Sequence, residues 1–359
     1  MKKYWLVVSW DGFPQYAARL VRAVIERIEV PCLVIGTHPN VPIDGMEDAL
    51  GQAVTWVDGG DQMTWSQLGL KPPSIFIQSG WNRTAFSSLG REVKRAGGLV
   101  IGLSDANWRA DYRQLVLGPI AFRLLYKSHF DGMIVPGSQG TRLMKYFGVD
   151  KLCIREGMYG ADSSIFKSGP PLNERSKTIL YVGQFIERKN VLRLVDAFLK
   201  FVDKYPEWKL HLVGSGSLKN KIPKSEGVVV EDFVQPEKLA RYYQDAKFFV
   251  LPSLVEAWGL VVHEATLCGC GLLLSNAVGS APDLSNDVNS VKFDPRDTLS
   301  IQHAFDVMAS MDEVRLSAVE LESYRLSCRF GPDRFAESFF SLVDYLSVTG
   351  NANGVAREK

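Results

Sequence analysis

Short apolar or β-branched runs recur along the chain, with longer amphipathic stretches between them. In the first half the runs are 4–9 (YWLVVS), 31–36 (PCLVIG), 53–57 (AVTWV), 74–78 (SIFIQ), 98–103 (GLVIGL), 132–135 (GMIV) and 151–154 (KLCI), each of strand length. Between the first two, Tyr16, Leu20, Ala23, Val24 and Ile28 fall on one helical face and Pro14 suits a first turn, which predicts a helix over 14–29. A second series predicts strands at 178–182, 209–213, 227–231, 247–251 and 271–275, with helices near 190–204, 236–246, 259–268 and 298–310. Strand–helix alternation means parallel sheets covered by helices, and ligands of such sheets sit beyond the carboxyl ends of the strands.

A chain of 359 residues accommodates two such units. The segment 167–177 (KSGPPLNERSK) lacks apolar periodicity and reads as a linker, which predicts domains over 1–166 and 178–332, with a terminal helix over about 333–348 packing back on the first. With 46% hydrophobic and 23% charged residues, disorder is excluded as the general state. Forty-one basic against 40 acidic side chains leave a formal charge of +1, too little for the field that nonspecific nucleic-acid binding needs. No run of about 18 apolar residues occurs, and Lys2 and Lys3 lead straight into a strand-like segment, so a cytoplasmic location is expected. The five cysteines form no C-x-x-C pair, which points away from disulfides and zinc; Cys268 and Cys270 flank a glycine where small buried residues pack well.

The window 246–270 (AKFFVLPSLVEAWGLVVHEATLCGC) carries the most chemistry. A buried strand runs into Pro252 and Ser253, a short loop carries Glu256, and a helix starting near Trp258 or Gly259 carries Glu264. Backbone amides of residues 257–260 would face whatever lies beyond the strand, a setting suited to a phosphate. The two carboxylates would flank that phosphate and accept hydrogen bonds from sugar hydroxyls.

These residues carry a family resemblance. Residues 178–295 resemble the donor-binding half of the family-4 retaining glycosyltransferases (glycosyl transferases group 1), whose α/β fold is GT-B, two Rossmann-like doubly wound domains facing a central cleft. The family pattern P-S-x-x-E-x-[FW]-G-L-x-x-x-E-A is matched by Pro252, Ser253, Glu256, Trp258, Gly259, Leu260, Glu264 and Ala265. TILYVGQFIERKNVLRLVDAF (178–198) resembles the element that grips the diphosphate, with Lys189 in the lysine position. LHLVGSGSLK (210–219) resembles the next strand and its glycine turn at Gly214, and the segment near Phe233 and Val234 resembles the one that meets the nucleobase. GADSSIF (160–166) resembles the family's hinge element. The resemblance implies that Glu264 holds the ribose, that Glu256 with Trp258, Gly259 and Leu260 holds the transferred sugar, and that Lys189 neutralises the diphosphate. The family's second basic position is Gln184, and the neighbouring Arg188 is the alternative. Its paired-glycine loop is reduced to Gly12, and its His-acid pair appears as Ser104 and Asp105, Asp105 then being the catalytic-side candidate of the first domain.

The function this implies is retaining transfer of a hexose or N-acetylhexosamine from a nucleotide diphosphate sugar to a glycan or lipid-linked glycan acceptor, in polysaccharide or lipopolysaccharide assembly. No cofactor and no metal are expected. A catalytically weak sugar-binding subunit and a nucleotide-sugar epimerase are the rivals; a nicotinamide dehydrogenase is disfavoured because no G-x-G-x-x-G follows the first strand. Trp10, Trp81 and Trp108 each follow a strand end and are either acceptor-stacking or core residues. His263 reads as a surface or packing histidine and not a base, and His129 and His211 stay unassigned. The apolar window 115–126, flanked by Arg109, Arg113 and Lys127, is either a core helix beginning at Gly118 and Pro119 or one that meets an anionic membrane surface at the cytoplasmic side.

Overall fold

The computed structural model describes residues 1–39, 44–58, 60–80 and 83–349. The chain divides into two compact units: Met1–Gly160 with the segment from Phe330 onward (unit 1), and Ala161–Arg329 (unit 2).

Unit 1 is built on β1 (Leu6–Trp10), β2 (Cys32–Gly36), β3 (Thr55–Trp56), β4 (Ile75–Ser79), β5 (Leu99–Leu103), β6 (Gly132–Val135) and β7 (Ile154–Glu156). They form one parallel sheet in the order β3-β2-β1-β4-β5-β6-β7. Side chains alternate between its faces with the strand period of two. Leu6, Val8 and Ile77 pack with the helices Gln15–Ile25 and Pro332–Val348, whereas Val7, Phe76 and Val100 pack with the helix Thr84–Arg95. The last helix supplies Phe335, Phe339, Leu342, Val343 and Leu346 to the unit 1 core.

Unit 2 repeats the plan. Strands β8 (Ser176–Val182), β9 (Lys209–Val213), β10 (Val228–Glu231), β11 (Ala246–Leu251), β12 (Gly271–Ser275) and β13 (Ser290–Phe293) form a second parallel sheet, ordered β10-β9-β8-β11-β12-β13. Both sheets reverse their strand order once, between β1 and β4 and between β8 and β11. Loops leaving the two strands of such a pair diverge to opposite sides, so a crevice opens at their carboxyl ends.

Several boundaries differ from the sequence expectation. Segment 167–177 is not a linker but part of unit 2, and the chain passes between units at Gly160 and again at Arg329. Arg175 is the reason. Its guanidinium is buried and donates to the carbonyls of Pro170 (2.7 Å), Tyr243 (3.2 Å), Ala246 (3.2 Å) and Cys268 (2.8 Å), which welds the segment to the sheet. The run 151–154 is mostly a 3₁₀ turn, because the Asp150 carboxylate accepts from the Leu152 amide (2.9 Å) and the strand starts only at Ile154. Strand β13 and the helices Thr84–Arg95, Ser138–Phe147 and Glu313–Ser327 were outside the expected set. Among the described residues no helix is long and apolar enough to cross a membrane.

Candidate active site

The unit 2 crevice is assembled from the loops that follow β8 and β11. Asn190 adopts a left-handed conformation (φ 60°), which asparagine tolerates better than most residues. From there its amide donates to the carbonyls of Pro252 (3.1 Å) and Pro295 (2.7 Å), while the Leu254 amide donates to Arg188 (2.9 Å). These ties bring side chains 67 positions apart together. The Lys189 ammonium donates to Glu256 Oε2, Ser253 Oγ donates to the same oxygen (3.1 Å), and Arg188 Nη1 lies 3.8 Å from it while donating to the Val255 carbonyl (2.9 Å). Lys189 and Glu256 are 12% and 10% exposed, against 46% for Arg188. Two cations against one carboxylate leave the cluster net positive, which suits an anionic ligand.

Glycines let the neighbouring backbone close up. Gly214 has φ +150°, and a Cβ there would fall 2.0 Å from the Gly183 carbonyl oxygen. The Gly183 amide donates to Val213 (3.0 Å) and that of Phe185 to Ser215 (2.8 Å), so the segments after β8 and β9 run in contact. Gln184 is exposed, and its carbonyl accepts from the buried Tyr181 hydroxyl (2.9 Å). Between Gln184 and Arg188, the structure puts Arg188 beside Glu256. Phe233 and Val234 follow β10, and Phe233 stands 37% exposed at the same end of the sheet.

The helix expected near Trp258 runs over Leu260–Leu267, with Gly259 (φ +87°) as its cap. The Gly259 and Leu260 amides find no acceptor among the described residues, as first-turn amides do not. Trp258 is buried, and backbone bonds Glu256 N to Ala277 O (3.2 Å), Gly279 N to Glu256 O (3.0 Å) and Ser280 N to Trp258 O (3.0 Å) hold its loop. Glu264 is buried and accepts from the Tyr243 hydroxyl (2.7 Å). Burial pushes its carboxyl up to about 7, and the Tyr243 bond only partly opposes this. Tyr243, 21 positions upstream on the helix Pro236–Asp245, has no signal in the motif that contains Glu264. Next to Glu264, His263 is buried: Nδ1 accepts from the Ala161 amide (2.8 Å) and Nε2 donates to the Ser327 carbonyl (2.9 Å). Burial lowers its pKa to about 4, so it is a neutral packing residue inside unit 2.

A pH dependence of stability follows from Glu264. Between its ordinary 4.5 and about 7 the folded chain keeps a proton that the unfolded chain has released. Stability therefore falls as pH rises through this window and levels off above it, by about 3 kcal/mol for a displacement of this size. Glu264→Gln should flatten that slope. Urea unfolding of both proteins at mildly acidic and mildly basic pH is the check, and equal slopes would remove Glu264 as the cause.

In unit 1 the corresponding crevice lies beyond β1 and β4. Gly12 (φ +61°) follows β1, and its amide donates to Thr37 Oγ1 (2.6 Å). Thr37 donates to Asp11 (2.9 Å), Ser79 Oγ accepts from the Asp11 amide (2.7 Å), and Arg83 Nε donates to Asp11 Oδ2 (2.8 Å). Asp11 and Arg83 were not among the expected residues; the signal that finds them is their place at the strand-order reversal. Asp105 follows β5 and is open to solvent on one side; loss of hydration on its protein side raises its pKa, and the Asp11 charge adds to this. The tryptophans part company. Trp10 is the last residue of β1, 3% exposed, and packs among Phe13, Tyr16 and Phe335, so it belongs to the core and not to an acceptor surface. Trp108 is half-buried, edge-on to Tyr146 (5.2 Å) with the Arg142 guanidinium 4.3 Å from its ring centre. Trp81 lies outside the described residues.

The segment that carries the Lys189–Glu256 cluster also carries the family match. Residues 162–317 match the model for Glycosyl transferases group 1. Part of the chain is similar to proteins named as glycosyltransferases. It is 26% identical over 152 residues to an uncharacterized glycosyltransferase of Methanocaldococcus jannaschii (40% of this chain, 39% of that protein). It is 30% identical over 132 residues to the O-antigen chain mannosyltransferase B of Escherichia coli (34% of each). Both matches span about two fifths or less of the relative's own length. A crystal structure of an Anabaena protein in complex with UDP covers 96% of this chain and 100% of its own, with TM-score 0.74 and 12% identity. That likeness is one of fold: two parallel-sheet α/β units, as in GT-B glycosyltransferases. The family model and this fold together support a group 1 glycosyltransferase reading.

Proposed function

We propose that the chain is a retaining glycosyltransferase that moves a hexose or N-acetylhexosamine from a nucleotide diphosphate sugar to a glycan or glycolipid acceptor, without a metal cofactor. One observation carries the reading: Lys189, Arg188 and Glu256 meet at the strand-order reversal of unit 2, where ligands of such sheets bind. Breaking the bond between the anomeric carbon and the diphosphate oxygen builds negative charge on the diphosphate. A cation that is little exposed and already in place stabilises this charge more than water does. In the proposed cycle the bond from the anomeric carbon to the acceptor oxygen forms on the face that the diphosphate leaves, and the acceptor proton passes to a diphosphate oxygen. Lys189 and Arg188 hold the diphosphate, Glu256 turns to the sugar hydroxyls, and Glu264 accepts from the ribose. The UDP complex of the Anabaena protein of like fold is in keeping with a nucleotide donor here.

The test is a thermal-shift series with UDP, GDP, ADP and dTDP and their sugars, followed by assay of nucleoside diphosphate release with and without a chelator. A nucleotide at a hundredfold excess over its dissociation constant should add about 2.7 kcal/mol of stability. Release that survives the chelator supports the reading. No stabilising nucleotide in the series would overturn it. Binding without release would favour a sugar-binding subunit, the reading that the uncharged Gln184 supports.

A further inference from the structure

Seven of the 18 exposed large apolar side chains of the described residues lie between Tyr112 and Leu125, in unit 1. A concentration of this kind marks an interaction surface. The segment is a π-helical turn, Arg113–Leu117, running into the helix Gly118–Leu125. Its inner side is anchored: Phe122 and Pro119 are buried, and a Cβ on Gly118 would lie 2.7 Å from the Phe147 ring. Its outer side is not. Leu117, Ile120 and Leu124 share one helical stripe and are 53%, 56% and 77% exposed.

Charge identifies the occupant. From Tyr112 to Phe130 the chain has no acidic residue but contains Arg113, Arg123 and Lys127. Leu125, 67% exposed at the end of the stripe, also lines a cavity of about 230 Å³ with Arg91, Lys94, Arg95, Ser128 and His129. Lys94 is engaged by Asp131 (2.6 Å) and His129 Nε2 by Gln78 (2.8 Å). Arg91 and Arg95 are exposed and form no ion pair among the described residues. A second copy of the chain fits poorly, since a two-fold contact would set this unbalanced basic rim against itself. A nucleic acid would leave the apolar stripe unused.

We infer that this face of unit 1 docks on an anionic phospholipid bilayer, with the Leu117–Ile120–Leu124 stripe entering the interfacial layer and Arg91 and Arg95 of the adjoining cavity taking up lipid phosphate. An apolar stripe with a basic surround is the combination that binds such surfaces, each basic residue adding to the attraction. The inference uses unit 1 alone and stands apart from the glycosyl-transfer reading.

The experiment is vesicle flotation of the full chain, with phosphatidylcholine alone and with an equimolar mixture of phosphatidylcholine and phosphatidylglycerol. The protein should float with the mixed vesicles, stay behind with the neutral ones, and be released by salt. Arg91→Ala with Arg95→Ala should lower partitioning by roughly 25-fold, about fivefold for each charge. Leu124→Ser with Leu125→Ser should abolish flotation. All four positions are exposed or border the surface, so melting curves should be unchanged; if the leucine pair destabilises the chain, the arginine pair carries the test by itself. Failure of the unmodified chain to float, equal binding to neutral vesicles, or unchanged flotation of either stable double variant would overturn the inference. So would a dimer in light scattering that the leucine variant dissociates, since a second copy would then cover the stripe.

Discussion

Lys189→Ala should lower kcat by about 10²- to 10³-fold, the range found when a fixed group aimed at developing charge is removed. Lys189 is little exposed and already in contact with Glu256, so the site is assembled before any ligand arrives. The charge that matters is the one on the departing diphosphate, so kcat should suffer more than KM. A second effect follows from the same contact. Without the lysine, Glu256 keeps Ser253 and the more distant Arg188 as partners, and its uncompensated charge should weaken nucleoside diphosphate binding. Lys189→Arg separates charge from shape, since it restores a cation without the same reach. Steady-state kinetics of both variants with the donor selected by thermal shift is the measurement. A rise in KM at constant kcat would mean that Lys189 only holds the substrate.

Trp10→Ala should cost about 3 to 5 kcal/mol of stability, the usual range for removing a large buried aromatic side chain. Trp10 is 3% exposed and ringed by Phe13, Tyr16 and Phe335, so truncation leaves a void that three rings cannot close without leaving their own packing. Trp108→Ala should cost clearly less. Its ring is only half-buried at the edge of the unit 1 core, and its edge-on contact with Tyr146 and its contact with Arg142 are worth about 0.5 to 1.5 kcal/mol apiece. Denaturant unfolding of the two variants side by side tests the contrast, and equal losses would mean that Trp108 is also a core residue.

The difference between these tryptophans shows where sequence reading stops. Both follow an apolar run, and local pattern alone gives them the same standing. What separates them is the helix Pro332–Val348, more than 300 positions away, whose Phe335 covers Trp10. The strands β8, β11 and β12 were legible because each contains a short apolar run with glycine or proline on at least one side, and the helix carrying Glu264 because it lies between Gly259 and Gly269. So was the pair Glu256 and Glu264, which one strand–loop–helix unit presents together. Tyr243 and Asn190 were not, since their partners become neighbours only through the strand order. The segment 167–177 misled for a chemical reason: its anchor is a buried arginine that satisfies four carbonyls, and no hydrophobic pattern announces such an anchor.

The discontinuous make-up of unit 1 bears on biosynthesis. Unit 2 is one uninterrupted stretch, Ala161–Arg329, and every strand of its sheet has left the ribosome once that stretch is made. Unit 1 begins first, yet Val8, Trp10 and Leu20 keep an apolar face open until Phe335, Phe339 and Leu342 emerge. The nascent chain thus carries a complete sheet with one face not fully covered through the synthesis of about half its length, the period in which exposed apolar surface invites aggregation. Completion then falls to the last helix. Premature termination between Arg329 and Phe335 would leave unit 2 with its whole core and unit 1 with one face of its sheet partly bare, a product that cellular quality control would meet as a folded body bearing a sticky fragment.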